Sequence, residues 1–577
     1  MIKYIKLFCF LLISVFATHI CPAQVFSQSN YPKDYFQWPL EIRPEIVANF
    51  GELRTNHYHM GLDCRTAQRH NLKVLAAADG YIAKVKIESW GFGRAIYINH
   101  PNGLTTLYAH LNDFYPELEK YVKEQQYKLK SWAVYLDIPQ DLFQVKKGQL
   151  IAYSGTTGGS QGPHLHFEIR ETKTEIVLNP SLFNLPPPDH IAPDIFRLAV
   201  YDRSISTYEQ TPKLYSLKKI NGVYVTVPSL IITNSDKISF GITASDRYDG
   251  SSNRNGIFEA LLTENDKPVL SFQLDRIGYD ETRYLNAHID YKLRSSGGPY
   301  VQHLSQLPGY TKSIYKKIAG DGVINIEDNN VHAINIQVKD ANGNSSVLKF
   351  EIKRNPDYKK PVSDNVDGTV QENEFHPGYI NLYENSNIRF YLPSNCIYDS
   401  FHFEYKEIIP NSEYPVYQLH NTSVPLQSYF PLSIKTSTSF PDKMVMHRFA
   451  NGKDDYSTAE QVTYRTEKDW FRASFREFGS FQMMIDTEPP VITPVGFKDG
   501  MDCSKLKRIV FVITDNTEEI KNFTATLDGN WLRFSNDKGR RFIYKFDENC
   551  AAGEHELKLV VTDQVDNVTE KIYKFTR

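Results

Sequence analysis

Disulfide scaffolding is excluded by how little cysteine the sequence contains. Only six cysteines occur in 577 residues, and two of them, Cys9 and Cys21, lie near the amino terminus. The other four are spread along the chain: Cys64, Cys396, Cys503 and Cys550. No Cys-x-x-Cys pair is present, which excludes a zinc knuckle. Cys503 and Cys550 bracket one carboxy-terminal unit, where a disulfide and two buried thiols both fit the spacing.

A surplus of basic residues is also absent. Lysine and arginine total 65 against 68 acidic residues, for a formal net charge of -3. Sequence-independent binding to nucleic acid depends on such a surplus, so we predict no nucleic-acid partner. After residue 23 the chain has no apolar run near the ~18 residues that a transmembrane helix requires. We therefore predict no transmembrane segment once the signal has been cleaved.

The amino terminus has the composition of a secretory signal peptide. Residues 1–6 read MIKYIK and carry positive charge, residues 7–17 are apolar, and the small Ala23 precedes the expected cleavage site. We predict a signal peptide over 1–23 and an exported protein in the periplasm or cell envelope, or outside the cell. A lipoprotein signal acylated at Cys21 is the alternative, although Ile20 stands where such signals place a small residue.

The composition favours strands and several domains. Aromatic residues make up 13% of the chain, and 30 prolines and 31 glycines supply turns. A chain of 577 residues is too long for one hydrophobic core. The sequence LPPPDH at 185–190 is a natural domain boundary. We predict a mostly β protein built from these units: 36–185, 190–355, 356–486 and 487–577.

The first unit contains one clear hairpin and one helix. Residues 95–100 and 104–111 alternate apolar and polar side chains around Pro-Asn-Gly, and Asn-Gly is a strong hairpin signal. Residues 116–132 begin with proline, lack glycine and space apolar residues among charged ones. This pattern predicts an amphipathic helix.

The carboxy-terminal part of the sequence repeats itself weakly. Residues 332–352 align with 555–575, since both run alternating apolar residues into an aspartate, turn through an asparagine and continue as a second alternating segment. Alternating segments with regular turn signals predict β-sandwich, Ig-like units. The Asp-x-x-x-Asn turns at 340–344 and 563–567 either satisfy their own backbone or bind calcium.

Five polar residues in three short segments form the chemical signal of the sequence. The segment GPHLHFEI places His164 and His166 on one face of a predicted strand, because side chains alternate with a period of two. NHYHMGLDCRT supplies His59 and Asp63, and LYAHL supplies His110. Three such ligands with an open fourth position characterise a catalytic zinc site. His59, Asp63 and one histidine of the HLH pair would bind zinc, and the two remaining histidines would transfer protons during amide hydrolysis.

Four separated motifs resemble, in order, those of the lysostaphin/LytM-type zinc peptidases: HMGLD, AAADGYIAKV, GFGRAIYINHPNGLTTLYAHL and VKKGQLIAYSGTTGGSQGPHLHFEIR. The resemblance implies an antiparallel β core crossed by a groove. It implies that His59, Asp63 and His166 bind zinc, and that His164 and His110 are the catalytic histidines. It also implies hydrolysis of peptide cross-links in bacterial peptidoglycan, with the peptidoglycan peptide stems as partner.

The resemblance spans about residues 45–172, less than a third of the chain, and is interrupted by an insertion at 112–144. We expect the insertion to be helical and to lie near one end of the groove. It would cap the groove, select substrate, bind a partner or only decorate the surface. A second departure places His70 and Asn71 in a turn that the family forms with glycine, which predicts a local change in that loop.

Several neighbouring residues have two interpretations. Tyr58 and Tyr108 would either hydrogen-bond a scissile carbonyl or pack in the core. Cys64 is interpreted as a core residue and not as a nucleophile, since its side chain alternates away from the preceding ligand. Glu168 follows His166 by two residues and is interpreted as its outer partner and not as a base.

Three functions fit the sequence. The first is a zinc-dependent endopeptidase that cleaves peptidoglycan cross-links in the cell envelope, with the carboxy-terminal β domains available to an envelope protein partner. The second is a non-catalytic envelope regulator that binds and activates a wall amidase, as do relatives that have lost ligands. The presence of all five polar positions favours catalysis. The third is a secreted protease that acts on proteins outside the wall.

Overall fold

A computed structural model describes five ranges of the chain: 31–186, 189–312, 314–358, 373–408 and 414–577. The predicted signal peptide at 1–23 lies outside these ranges, together with Cys9 and Cys21. Within them, every helix is too short or too polar to cross a membrane.

Strands dominate the structure. About 48% of the residues lie in strands and 6% in helices, which confirms the mostly β fold class. The α-helices of the described ranges are Pro116–Leu129 (α1), Leu285–His288 (α2) and Tyr291–Ser295 (α3). Single turns of 3-10 helix occupy Pro180–Phe183, Thr282–Tyr284 and Pro441–Lys443.

The strands of the first unit surround the predicted site. They are Ile46–Ala48 (β1), Leu53–Arg54 (β2), His57–Tyr58 (β3), Leu62–Arg65 (β4), Lys73–Leu75 (β5), Gly80–Ile87 (β6), Arg94–Asn99 (β7), Leu104–Ala109 (β8), Leu111–Phe114 (β9), Val134–Asp137 (β10), Gln144–Val145 (β11), Leu150–Ser154 (β12), His164–Glu171 (β13) and Val177–Leu178 (β14). The main sheet has the order β1-β4-β13-β8-β7-β6-β10, and a smaller sheet has the order β5-β12-β9. Strand β13 is central, so His166 lies opposite Asp63 on one side and Ala109 on the other.

The alternation of β13 determines which side chains reach the groove. Leu165, Phe167 and Ile169 are fully buried in the apolar core of the first unit. Because successive side chains point to opposite faces, His164 and His166 face away from that core. A slip of one residue would bury both histidines, so the apolar half of the strand also fixes the register of the polar half.

The hairpin predicted around Pro-Asn-Gly is confirmed, since β7 and β8 pair antiparallel with Ile98 opposite Thr106. The insertion at 112–144 is helical only in its first half. Helix α1 is shorter than the predicted 116–132, because Lys130 adopts a left-handed conformation with a φ of 50° and caps it. The following residues form β10, which pairs antiparallel with β6. The expectation of a helical insertion was therefore incomplete, since the insertion also extends the main sheet.

The second unit shares its core with the first. Its strands are Asp194–Asp202 (β15), Lys213–Ile220 (β16), Val223–Thr233 (β17), Lys237–Ser245 (β18), Glu259–Glu264 (β19), Lys267–Gln273 (β20), Arg276–Ile277 (β21), Gln302–His303 (β22), Tyr315–Lys317 (β23), Ile324–Asn325 (β24), His332–Lys339 (β25) and Ser345–Arg354 (β26). Phe50, Tyr58 and Val177 of the first unit lie in the apolar cluster of the second. Strand β14 pairs with β21, with Val177 opposite Ile277. The two units therefore fold against each other across the proline-rich segment.

The third unit and the last unit have apolar cores of their own. The third contains Glu374–Phe375 (β27), Asn381–Glu384 (β28), Ile388–Leu392 (β29), Phe401–His402 (β30), Tyr405–Ile408 (β31), Val416–Leu419 (β32), Phe430–Lys435 (β33), Met444–Ala450 (β34), Lys453–Thr458 (β35), Glu460–Tyr464 (β36), Glu467–Phe475 (β37) and Gly479–Ile485 (β38). The last contains Val491–Pro494 (β39), Met501–Asp502 (β40), Arg508–Thr514 (β41), Ile520–Leu527 (β42), Asn530–Trp531 (β43), Arg541–Lys545 (β44), Glu554–Asp563 (β45) and Val568–Thr576 (β46). Cys503 and Cys550 are buried free thiols in its core.

The internal repeat corresponds to two equivalent hairpins. Strands β25 and β26 pair antiparallel, as do β45 and β46, which confirms the paired alternating segments read from the sequence. The second strand of each hairpin also pairs in parallel with a strand from earlier in its unit: Leu348 lies opposite Tyr224, and Phe575 lies opposite Met501. The second and last units therefore share a local topology around their Asp-x-x-x-Asn turns.

Replacing Tyr108 by phenylalanine tests the packing beneath the site. The Tyr108 side chain is fully buried, and its hydroxyl accepts a hydrogen bond from the Ala77 amide at 2.8 Å. We expect Tyr108→Phe to lower the free energy of unfolding by about 1–3 kcal/mol, because the buried amide loses its acceptor. Chemical denaturation followed by circular dichroism measures this change.

The matched control is Tyr135→Phe on β10, where the tyrosine is 55% exposed. We expect this control to change the free energy of unfolding by less than about 0.5 kcal/mol. Equal stabilities for the two variants would contradict a structural role for the Tyr108 hydroxyl.

Candidate metal centre and groove

Three buried side chains converge at the carboxyl side of β3, on β4 and on β13. His59 Nε2 lies 2.9 Å from Asp63 Oδ1 and 3.1 Å from His166 Nδ1. His166 Nδ1 lies 2.9 Å from the same carboxylate oxygen. The structure therefore brings together the three side chains predicted as metal ligands.

The hydrogen bonds behind the two imidazoles determine which ring nitrogens face the centre as lone pairs. His59 Nδ1 lies 2.7 Å from the carbonyl oxygen of Asn49, and His166 Nε2 lies 2.9 Å from Glu168 Oε1. Both of these partners accept hydrogen bonds, so each of these ring nitrogens carries the proton. In the neutral rings, His59 Nε2 and His166 Nδ1 are then lone pairs that face each other and a carboxylate oxygen. Three acceptor atoms this close together repel one another unless a positive charge lies between them.

The donor set fits zinc. Two imidazole nitrogens and one carboxylate oxygen are typical ligands of a catalytic zinc site, which keeps a fourth position open. Tetrahedral bonds of about 2.0–2.2 Å place neighbouring ligand atoms about 3.3 Å apart, close to the separations of 2.9–3.1 Å found here. Burial alone would raise the pKa of Asp63, but the adjacent His59, together with His164 and His166, holds that pKa well below its usual range. The carboxylate is therefore ionised and ready to bind a metal.

His110 and His164 flank the three ligands. Their ring centroids lie 4.8 Å apart, and His164 Nε2 lies 3.4 Å from Asp63 Oδ1. His110 Nδ1 donates to the Thr157 carbonyl at 2.8 Å, and His164 Nδ1 donates to the Gly162 carbonyl at 2.9 Å. Each Nε2 is therefore the unprotonated nitrogen of the neutral ring. Burial, together with the neighbouring histidines, lowers the pKa of His110 to about 3, so its ring is neutral near pH 7.

All five predicted site residues line one groove of about 1370 Å³. Glycine is required beneath it, because a Cβ atom at Gly61 would lie 2.4 Å from the Phe167 carbonyl oxygen and 3.0 Å from the His166 ring. At the departure in sequence beside His70, Asn71 adopts a φ of 63°, a left-handed conformation that asparagine tolerates better than most residues. The substitution for glycine is thus accommodated locally.

Two residues of the site escaped the sequence analysis. Arg54 donates from Nη2 to Asp63 Oδ2 at 2.7 Å, on the side of the carboxylate away from the histidines. Tyr279 of the second unit donates its hydroxyl to Glu168 Oε1 at 2.5 Å and lines the groove. Arg54 lies five residues before the HMGLD motif, so a search for basic residues near Asp63 in the sequence would have identified it. Tyr279 carries no local signal, because it lies 111 residues from its partner.

The last unit contacts the wall of the groove. Asp537 Oδ1 accepts a hydrogen bond from the Gly158 amide at 2.7 Å, and Lys538 Nζ donates to the Ser160 carbonyl at 2.7 Å. These two hydrogen bonds hold the loop whose carbonyls orient His110 and His164. The loop therefore depends on residues almost 400 positions further along the chain.

Helix α1 of the insertion also packs against the last unit. Lys123 Nζ lies 2.8 Å from Asp547 Oδ2, and the Tyr127 and Trp531 rings meet edge to face with centroids 5.2 Å apart. Arg533 donates to Gln126 Oε1 at 2.8 Å. The partner of the insertion in this structure is thus another part of the same chain.

The remaining candidates are structural. Cys64 is fully buried in the core of the first unit, and burial raises the pKa of its thiol well above the usual value. Tyr58 is packed in the core shared with the second unit, 6.0 Å from the His288 ring centroid. Both side chains are almost completely buried, which leaves neither free to react.

Neutralising Glu168 tests the orientation of His166. Glu168 is fully buried, accepts from His166 and Tyr279, and pairs with Arg170 Nε at 2.7 Å. We expect Glu168→Gln to weaken zinc binding about 10–100-fold, because the acceptor that orients the ligand ring loses its charge. Competition with a chromophoric chelator measures the affinity.

The matched control is Glu175→Gln, which removes an exposed carboxylate paired with Lys84 near the same sheet. We expect unchanged zinc affinity in this control. The same loss of affinity in both variants would show a general charge effect and would contradict the orienting role of Glu168.

Comparison with known proteins relates two segments of the chain to families. A profile of Peptidase family M23 matches residues 57–127 and 140–180, and a profile of the Zu5-like domain matches residues 372–486. The gap between the two peptidase segments falls within the insertion at 112–144. The two segments of the peptidase profile together contain all five predicted site residues.

Curated relatives and solved structures cover the same part of the chain. Cell division protein DipM of Caulobacter vibrioides is 34% identical over 142 residues, which make up 25% of this chain and 19% of the relative. DD-carboxypeptidase/endopeptidase Mpg of Neisseria meningitidis serogroup B is 31% identical over 175 residues, 30% of this chain and 32% of the relative. The catalytic domain of lysostaphin from Staphylococcus simulans is 23% identical, with a TM-score of 0.18, and the match covers 23% of this chain and 87% of that domain.

The chain thus spans a third or less of the length of these curated relatives. The profile match and the two relatives confirm the resemblance to the lysostaphin/LytM-type peptidases drawn from the sequence motifs. Residues 57–127 and 140–180 of this chain are therefore similar to Peptidase family M23.

Proposed function

We propose that the chain is a zinc-dependent endopeptidase that hydrolyses peptide cross-links of bacterial peptidoglycan in the cell envelope. One observation carries the proposal: two imidazole lone pairs and a carboxylate converge in an open groove beside two further histidines with unprotonated Nε2 atoms. This arrangement supports metal binding at one point and proton transfer at the next.

The protein residues divide into two roles. Zinc bound by His59, Asp63 and His166 would polarise the scissile carbonyl and lower the pKa of a water molecule. His110 and His164 accept and donate the protons, because each holds its Nδ1 proton on a backbone carbonyl and turns Nε2 towards the groove.

Charges along the groove support a peptide that carries both amines and carboxylates. The side chains that line the groove include Glu52, Arg54, Lys86 and Glu88. A stem peptide offers complementary charges of both signs. The name of the Neisseria relative assigns it endopeptidase and DD-carboxypeptidase activity, which supports a cross-link as the substrate of the similar segment here.

The location and the domain division are part of the proposal. A signal peptide at 1–23 would export the chain to the periplasm or envelope. We infer a peptidase domain at 36–185 followed by β units at 190–355, 356–486 and 487–577, and the separate apolar cores of the last two support this division. These β units would contact an envelope protein partner.

The decisive experiment uses purified sacculi. The zinc-loaded chain without its signal peptide, residues 24–577, is incubated with sacculi, and released muropeptides are identified by mass spectrometry. We expect cross-linked dimers to be converted to monomers. We expect His166→Ala to lose both bound zinc and this conversion, whereas His70→Ala, an exposed histidine outside the site, keeps both.

Two results would contradict the proposal. Equal product release by the wild-type chain and the His166→Ala variant would place the activity elsewhere. A zinc-loaded wild-type chain that releases no monomers, but stimulates a wall amidase added to the same sacculi, would favour the regulatory alternative.

A second variant separates metal binding from proton transfer. His110 has a φ of 60°, a left-handed conformation that asparagine tolerates better than alanine, so His110→Asn is the appropriate substitution. We expect it to retain zinc and to lower the hydrolysis rate by about 10²–10⁴-fold, the usual contribution of a positioned acid or base. Zinc content by mass spectrometry and the sacculus assay measure the two effects. A variant with wild-type rate would exclude His110 from the reaction.

A further inference from the structure

Three buried carboxylates meet outside the groove, at the junction between the first and second units. Asp189, Asp246 and Asp340 each bring one oxygen within 4.8 Å of the others, and we call them the proximal aspartate cluster. Asp189 directly follows the proline-rich segment, Asp246 follows β18, and Asp340 begins the turn between β25 and β26. All three are at most 4% exposed. Three separate segments of the chain thus place negative charge at one buried point.

The basic side chains adjacent in sequence do not neutralise this cluster. His190 pairs with Asp249, and Arg247 pairs with Asp194. In the described ranges no lysine or arginine forms an ion pair with a member of the cluster. Burial, together with the charges of the other two carboxylates, raises the pKa of Asp246 to about 8. Three ionised carboxylates are therefore unfavourable in this cluster, because buried carboxylates need either protons or a bound cation.

Several buried oxygens at the cluster have no hydrogen-bond partner among the described residues. Asp189 Oδ2 and Asp246 Oδ1 are two of them. Asn255 pairs with Asp246 through two reciprocal backbone hydrogen bonds of 2.9 Å, which places both side chains on the same face. Asn255 is 3% exposed, and its Oδ1 is a third oxygen without a partner. Asn255 thus brings a third unpartnered oxygen to the face on which Asp246 meets the other two carboxylates.

The last unit repeats the arrangement. Asp486, Asp515 and Asp563 bring oxygens within 4.8 Å of one another, and we call them the distal aspartate cluster. Asp486 Oδ2 and Asp515 Oδ1 lack hydrogen-bond partners in the described ranges. Lys443 approaches this cluster, but its Nζ bonds Asn567 Oδ1 at 2.7 Å. In both units the asparagine that ends the turn donates to the backbone oxygen of the first aspartate, at 2.9 Å in the second unit and 3.1 Å in the last.

We propose that the proximal and distal aspartate clusters each bind a calcium ion, the proximal one with Asn255 as an additional ligand. Carboxylate and amide oxygens are the preferred ligands of calcium, which takes six to eight of them at about 2.3–2.6 Å. Two ligands of one calcium ion are then up to about 5 Å apart, which accommodates the 4.8 Å limit of both clusters. Magnesium binds at about 2.1 Å in a strict octahedron and fits this spread less well.

The positions of the clusters assign them a structural role. Asp189 lies in the connection from the peptidase unit to the second unit, and Asp486 begins the connection from the third unit to the last. Each ion would tie such a connection to a strand end and to a hairpin turn of the next unit. Calcium would therefore stabilise the two junctions without entering the zinc site, whose two imidazoles are poor calcium ligands.

The test measures calcium binding by the chain of residues 24–577 after passage over a chelating resin and restoration of zinc. Isothermal titration gives the number of bound ions, and thermal unfolding with and without millimolar calcium gives the shift in Tm. We expect the wild type to bind two ions and to melt several degrees higher with calcium. Asp246→Asn and Asp515→Asn should each bind one ion, and the double variant should bind none.

Asp249→Asn is the matched control, since Asp249 lies three residues from Asp246 but pairs with His190 at the surface. It should bind two ions, as the wild type does. Without calcium, Asp246→Asn should melt no lower than the wild type, because the amide has the shape of the protonated carboxyl that burial favours there. With calcium, its rise in Tm should be about half that of the wild type. A cluster held only by its own hydrogen bonds would show neither effect.

Three results would overturn the proposal. The first is a wild-type chain that binds no calcium and keeps its Tm in millimolar calcium. The second is an Asp246→Asn variant that still binds two ions. The third is a wild-type chain that responds to magnesium and not to calcium. The wild-type titration decides the first and third cases without any variant, so a variant that failed to fold would leave the proposal falsifiable.

Discussion

The structure depends on one electrostatic constraint, the convergence of two imidazole lone pairs and a carboxylate at a buried point. His59 and His166 present lone pairs there because their other nitrogens are held by acceptors. The same constraint explains why strand β13 contains a fully buried acid, Glu168, two residues after His166. Burial would raise its pKa, but the charge of Arg170 and the hydrogen bond from His166 lower that pKa to about 2. Glu168 is therefore an anion that orients His166, the proposed metal ligand, through a hydrogen bond to Nε2.

The groups that maintain this arrangement come from almost the whole chain. Tyr279 of the second unit supports Glu168, while Asp537 and Lys538 of the last unit support the loop that orients the two flanking histidines. Phe50, Tyr58 and Val177 of the first unit also pack in the apolar core of the second. The peptidase unit is thus completed by its neighbours, which gives the β units a role at the site that is independent of any external partner.

Local periodicity explains what could be read from the sequence. The alternation in GPHLHFEI placed His164 and His166 on one face, and the structure shows that face at the groove. The strand-rich class and the hairpin around Pro-Asn-Gly were readable for the same reason, because both follow from nearest neighbours. The alternation of side chains along a strand predicts which face of the sheet a residue occupies. It does not predict which residues of other segments pack against that face. Tyr279 and the β10 half of the insertion were therefore missed, since both are fixed by contacts between distant segments.

The same limit applies to the internal repeat. The turns at 340–344 and 563–567 were visible as sequence, but their meeting with Asp189 and Asp486 depends on how the connections return to them. Helix α1 contacts the last unit, and a loop of that unit holds the segment whose carbonyls bind His110 and His164. The last unit therefore packs directly against the first. A change in the second unit would reach His166 through Tyr279 and Glu168, and a change in the last unit would reach His110 and His164 through the loop at 157–162. The proposed metal site and the proposed proton-transfer residues thus depend on different neighbouring units.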